Sequence, residues 1–246
     1  MDASCSNEII AHARSYPGIR AGIARLADVL DAPSYRIVPE GEWSTSQSVL
    51  QEGTVTEWPP EARSVLVLGL HHPENDPRLD WWERGNTNGN RRLMEVSESL
   101  KQWLREEHDI AAYPLPYYVE RGGLFLKDAA VLAGLGIIGK SNLFLHPEWG
   151  PRIRLRSILI EGDLQPNEPI EGFFPCETCD APCQDACPQN AFLSGVYARP
   201  DCIARIAADI ANKVPSGATD ENGNFVAVIK YCRACEFACP VGKDGA

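Results

Sequence analysis

The sequence predicts an α+β protein, with an N-terminal α/β domain over residues 1–165 and a smaller cysteine-rich domain over 166–246. Three observations carry this division. Residues 64–70 (SVLVLGL) form a short, Val-rich apolar run that reads as a buried strand. Leu93, Val96, Leu100, Trp103 and Leu104 recur at helical spacing over 92–107 and mark an amphipathic helix. All the cysteines but Cys5 lie beyond residue 175, after a stretch (161–175) with three prolines and four acidic residues that reads as a linker.

The remaining elements follow in chain order. Ile19, Ile23, Leu26 and Leu30 predict a helix over 19–30. Residues 31–62 are polar and rich in Pro and Gly, so loops are expected there. A short strand is expected over Ile110–Leu115, and a helix over 126–133 that stops at Gly134. Residues 143–160 read as a hairpin, with HPEWG as its turn and His146 exposed on it. The alternation of Arg152, Ile153, Arg154, Leu155 and Arg156 puts three arginines on one face, either to hold an anionic group or simply to be solvated. Residues 200–212 read as a helix opened by Pro200.

The cysteines are the most informative feature. They run Cys176-x2-Cys179-x3-Cys183-x3-Cys187-Pro188, then Cys202, then Cys232-x2-Cys235-x3-Cys239-Pro240. Short steps of this kind, ending in Cys-Pro, are ligand runs for iron–sulfur clusters, in which the fourth cysteine crosses to the other cluster. Eight thiolates supply two 4Fe–4S clusters. The crossing rule assigns Cys176, Cys179, Cys183 and Cys239 to one, and Cys187, Cys202, Cys232 and Cys235 to the other. The step from Cys179 to Cys183 is one residue longer than usual, with Pro182 in it. Zinc sites and disulfides are the alternatives. Neither Cys-Pro ending belongs to a zinc knuckle, and disulfides belong to exported chains. Cys5 reads as a free thiol.

Composition narrows the setting. MDASCSNEII has neither a basic start nor an apolar run, and no eighteen consecutive residues are apolar, so a cytoplasmic protein with no membrane span is expected. The net charge of −11 argues against nucleic acid as a partner.

Gly134-x-Gly136-x-x-Gly139-Lys140 spells a dinucleotide fingerprint, and Gly134 and Gly139 also spell a phosphate loop with Lys140-Ser141. Both motifs need a strand before them and a helix after. Here a helical stretch precedes and a strand-like stretch follows, so neither reading holds.

The stretch AGLGIIGKSNLFLHPEWG (133–150), the VER at 119–121 and the paired cysteine runs together resemble the epoxyqueuosine reductases, relatives of the reductive dehalogenases. The resemblance runs over roughly residues 60–245. It implies an oxidoreductase with an N-terminal cobalamin-binding α/β domain and two 4Fe–4S clusters in a ferredoxin-like domain. The clusters would pass electrons from a low-potential donor, such as a ferredoxin or flavodoxin, to a corrinoid cobalt that reduces a substrate. It implies cofactor contacts from Gly134, Gly136, Gly139, Lys140, Ser141 and Asn142. At the place of the family's catalytic aspartate stands Glu120, with Leu126-Lys127 where an Glu-Arg pair would be; Glu120 is thus the expected proton donor. The sequence stops seven residues after Cys239, which gives the expectation of no C-terminal helical repeats and of a small-molecule substrate rather than tRNA. The alternatives are a protein that reduces a corrinoid without an organic substrate, and a plain dicluster carrier. His71 and His72, at a strand end, and the Trp81-Trp82 pair are secondary candidates for the corrinoid or substrate.

Overall fold

A helix, α1 (Ala3–Arg14), leads into strand β1 (Ile19–Arg25) and two short helices, α2 (Leu26–Leu30) and α3 (Pro33–Ile37). Then come β2 (Ala62–His71), the two-residue strands β3 (Trp82–Glu83) and β4 (Asn86–Thr87), the long helix α4 (Asn88–His108), β5 (Ala112–Pro114) and α5 (Leu126–Leu132). The short strands β6 (Ile137–Ile138) and β7 (Phe144–Leu145) precede β8 (Ile153–Glu161). The last part carries α6 (Pro182–Asp185), α7 (Arg199–Ala211), the hairpin β9 (Val214–Thr219) and β10 (Phe225–Val228), and α8 (Ala234–Ala238). This computed structural model describes residues 3–37, 55–219 and 221–243. Most of the polar stretch expected as loops over 31–62 lies outside the described residues.

Two units share the chain. The first comprises residues 1–71, 93–138 and 154–173, and the second 72–92, 139–153 and 174–246. The chain passes between them more than once, and the boundary expected at 165/166 falls inside the last segment of the first unit.

The first unit is built on a four-stranded sheet in the order β1-β2-β8-β5, with β1–β2 and β5–β8 antiparallel. One face of the sheet presents Ile19, Ala21 and Ile23, Leu66, Leu68 and Leu70, and Ile158 and Ile160 to a single core. Ile9, Ile10 and Ala13 of α1 and the Leu93–Val96–Leu100–Leu104 stripe of α4 fill it. The α4 stripe recurs every three or four residues, so one side of the helix buries its leucines while the charged residues stay wet. Small residues set the opposite face. A Cβ on Gly22 would stand 2.1 Å from the Ala133 carbonyl oxygen, so the absence of a side chain lets the end of α5 lie against β1.

The helix expected over 19–30 is a strand followed by one helical turn. Residues 19–24 of β1 are buried to a degree that hides the alternation of a half-exposed strand, so the apolar positions mimic a helical period. The expected hairpin over 143–160 also differs. The HPEWG turn forms, closed by hydrogen bonds exchanged between His146 and Gly150, but β8 lies in the central sheet between β2 and β5. Beyond Glu161, where β8 ends, the stretch to residue 175 has no helix or strand. It is nonetheless tied down. The Ile23 N–H donates to Asn167 Oδ1 at 2.7 Å and the Asn167 N–H donates to the Ile23 carbonyl at 2.8 Å. The buried Ser64 hydroxyl donates to the Gly162 carbonyl and accepts from the Leu164 N–H, both at 2.9 Å.

Candidate functional site

The second unit gathers the cysteine runs. Ala181 takes a left-handed conformation (φ 56°), and Pro182 then opens the short helix α6, whose first turn carries Cys183. This accounts for the longer Cys179–Cys183 step: the added residue lets the chain turn into a helix before the third cysteine is presented. Helix α8 carries Cys235 and ends at Cys239, and Cys202 lies on α7, which Pro200 opens as expected.

The thiols group by fours. Burial raises the pKa of Cys183, and the nearby charges of Cys239, Cys176 and Cys179 raise it further. Burial pushes Cys235 up to about 12, with Cys232, Cys202, Glu236 and Cys187 adding to the rise. Each group therefore crowds sulfurs whose charged forms repel one another unless cations join them. Iron would supply such cations, and two sets of four thiols are the donors that two four-iron clusters would need. Among the described residues, no three His, Cys, Asp or Glu side chains converge as a single metal ion would require. A four-iron cluster instead takes one thiolate at each iron.

Groups outside the cysteine motif support each set. The Ala191 N–H donates to Cys187 Sγ at 3.4 Å, and Tyr197 shares a hydrogen bond with Cys202. The Cys232 N–H donates to the buried Asp209 carboxylate at 2.8 Å, which also pairs with Arg205 at 2.9 Å. Arg233, between Cys232 and Cys235, pairs with Asp80 at 2.5 Å and with Glu236. Asp80 also lies 2.9 Å from Nδ1 of the fully buried His72. His72 is thus part of a buried polar network, while His71 ends β2 half-buried. Sequence reading missed Tyr197, Arg205, Asp209, Arg233 and Glu236, because nothing local in the chain marks them as neighbours of sulfur.

The glycine-rich stretch meets the chain's own atoms. A Cβ on Gly134 (φ 68°) would stand 2.4 Å from the Glu168 carbonyl oxygen. A Cβ on Gly139 would stand 2.5 Å from Leu145 Cδ1 and 3.2 Å from Cys176 Sγ. Gly136 is buried. Lys140 donates to the Cys179 carbonyl at 3.1 Å, Ser141 is buried, and Asn142 takes a left-handed conformation and donates its N–H to the Gly139 carbonyl. Gly134 and Gly139 therefore serve close internal packing, Gly139 against a cysteine loop.

Glu120 sits half-buried in a tight turn over Val119–Arg121, capped by Gly122 at φ 89°. The Trp58 indole donates to the Gly122 carbonyl at 2.7 Å, and the Thr56 N–H donates to the Arg121 carbonyl at 3.0 Å. A Cβ on Gly122 would stand 2.2 Å from the Thr56 carbonyl oxygen. These contacts fix the backbone under Glu120.

Arg152 and Arg156 are buried and Arg154 is half-buried, so the three do not form a solvated face. His146, expected on an exposed turn, is buried and stacks on Trp149 with ring centroids 4.6 Å apart. Trp81 carries the Lys230 ammonium over its ring at 4.1 Å, and Trp82 pairs through its backbone with Ile229. Cys5 is half-buried in α1 and packs against the core of the first unit.

No family model matches the chain. An epoxyqueuosine reductase from Synechocystis sp. is 29% identical over 199 residues, 76% of this chain and 65% of that protein. The Bacillus subtilis epoxyqueuosine reductase is 26% identical over 197 residues, 75% of this chain and 48% of that protein. The chain thus spans about half to two thirds of the length of these relatives. Among solved structures, an epoxyqueuosine reductase with a modified tRNA-Tyr stem loop superposes with a TM-score of 0.70 at 22% identity, covering 98% of this chain and 66% of that one. A catabolic reductive dehalogenase in complex with 3-bromo-4-hydroxybenzoic acid gives 0.50 at 17% identity, covering 77% of this chain and 26% of that one. Among the described residues, no helix is long and apolar enough to cross a membrane.

Proposed function

We propose, from its similarity to epoxyqueuosine reductases, that the chain is an iron–sulfur oxidoreductase that reduces a small molecule with a corrinoid as partner cofactor. The grouping of eight cysteines into two sets of four is the observation that carries this reading. Cys176, Cys179, Cys183 and Cys239 hold one 4Fe–4S cluster, and Cys187, Cys202, Cys232 and Cys235 hold the other. Bound clusters would supply single electrons. The corrinoid rests on that similarity alone.

This chain's own residues have separable tasks. The cysteine loops hold the irons, and the buried Asp209, Arg233 and Glu236 network fixes the loop that carries Cys232 and Cys235. Glu120, on its braced turn, holds the proton delivered as the substrate bond is reduced. A carboxylic acid in a rigid turn keeps its direction, which is what general acid catalysis asks of geometry.

A nucleic-acid substrate is the second reading, favoured by the neighbour that holds a tRNA stem loop. The net charge of −11 does not exclude it, since a local basic patch decides such binding.

The test is anaerobic reconstitution with iron and sulfide, followed by corrinoid titration and assays on organic epoxides or halides and on modified tRNA with a low-potential donor. The expected result is about eight irons per chain, corrinoid retention, and turnover of a small molecule. Glu120→Gln should lower turnover by about 10²- to 10⁴-fold and leave cluster reduction intact. Uptake of fewer than about four irons would remove the cluster reading. Full iron without corrinoid retention would leave a dicluster carrier, and turnover of tRNA alone would select the second reading.

A further inference from the structure

Arg152 belongs to no cysteine motif, yet it is bound into one cysteine loop. It is 3% exposed. Its guanidinium donates to the carbonyl of Val241, two residues past Cys239, and lies 3.6 Å from the Glu74 carboxylate. The cation is thus fixed on a peptide carbonyl of the loop that directly follows Cys239.

Two glycines lock this arrangement. A Cβ on Gly150 would stand 2.0 Å from the Val241 carbonyl oxygen and 3.2 Å from an Arg152 guanidinium nitrogen. A Cβ on Gly242 would stand 2.6 Å from the Gly150 nitrogen. The loop before β8 and the loop after Cys239 therefore interlock with the arginine between them.

A cluster with four thiolate ligands is anionic, and reduction adds one more negative charge. A fixed cation stabilises the reduced form more than the oxidised one and so raises the potential. Arginine keeps its charge at any working pH, and burial limits screening by salt. Lys140, on the Cys179 carbonyl, is exposed and more strongly screened. Around the other four cysteines the balance differs: Asp80, Glu236 and Asp209 face Arg233 and Arg205, so carboxylates outnumber cations.

We propose that Arg152 is a positioning residue for electron transfer, which raises the reduction potential of the cluster held by Cys176, Cys179, Cys183 and Cys239 while leaving the other cluster unmoved. The proposal rests on the two-cluster reading. The reaction it affects is the transfer of one electron from the reductant to the cluster, with no bond or proton exchanged at the arginine.

The test is a potentiometric titration of the full, reconstituted chain with dithionite and mediators, followed by electron paramagnetic resonance, with iron counted in every sample. In Arg152→Met, the reduced-to-oxidised ratio of one cluster at fixed potential should fall about tenfold, a downward shift of about 59 mV for one electron, with the second cluster unchanged. Arg152→Lys should restore most of the shift. Glu74→Gln, which removes a half-exposed opposing charge, should move the same cluster upward. Unmoved midpoints in Arg152→Met at full iron content, or equal shifts of both clusters, overturn the proposal and leave the cluster reading standing. If Arg152→Met does not assemble, Glu74→Gln decides: an upward shift of one cluster supports the proposal, and no shift overturns it. A wild-type chain that takes up no iron overturns both.

Discussion

At Cys202, the hydrogen bond from Tyr197 is the clearest case of a single residue acting on a sulfur. Burial first, and the bond to Cys202 second, raise the pKa of Tyr197, so its hydroxyl keeps the proton it donates. Hydrogen bonds to cluster sulfurs favour the reduced, more negative state. Tyr197→Phe should therefore lower the midpoint of the cluster held by Cys187, Cys202, Cys232 and Cys235 and leave its companion in place. A redox titration of the variant, with iron counted, checks this; a shift of the companion alone would contradict the grouping of the cysteines. The cysteines were legible because ligand steps of two or three residues are local, and local spacing survives in the sequence. Tyr197, Arg152 and Asp209 were not, because they reach the sulfurs through tertiary packing that no spacing rule records. Pro182 shows both sides: its place in the run was visible, but its use as the first residue of α6 needed the backbone.

Among the elements, α4 and β1 show why one period is readable and another is not. Helix α4 is wet along one side, so its leucine stripe stands out against charge. Strand β1 is covered on both faces, by the α1–α4 core and by the end of α5, and between Arg20 and Arg25 it has no polar position to reveal its alternation. The contact that covers it is exacting. Gly22→Ala places a methyl 2.1 Å from the Ala133 carbonyl oxygen, which belongs to backbone and cannot swing aside. It should cost about 1–3 kcal/mol of stability, read as a lowered denaturant midpoint with an unchanged slope. An unchanged midpoint would show that α5 shifts freely against the sheet. The arrival of β8 in the central sheet, rather than in a hairpin with β7, is a topological choice that the residues of β8 alone do not reveal.

For the whole molecule, the two units draw stability from different sources. The first has a large apolar core of strands and helices. The second has short helices, a largely exposed β9–β10 hairpin, and eight cysteines in place of an apolar core of that size. Metal binding to such a set is also folding free energy. Iron removal by anaerobic chelation should thus open residues 174–243 to protease while the first unit stays resistant, as seen by mass spectrometry of the fragments. Equal resistance of both units with and without iron would show that the second unit folds on its own. Relatives of this chain are longer than the span it matches, so substrate and partner are questions for the assays above and not for charge alone.

The hydrogen bonds between Asn167 and Ile23 bear on how copies of this chain meet. Strand β1 lies at the margin of its sheet, and an open margin is a template on which a second chain adds as another strand. Asn167 occupies both the N–H and the carbonyl of Ile23, and the Arg14 guanidinium takes the Ala21 carbonyl at 2.9 Å. The segment that joins the sheet to the cysteine loops thereby also acts as a guard against edge-to-edge aggregation. Fibril-like association through β1 first requires that this segment peel away.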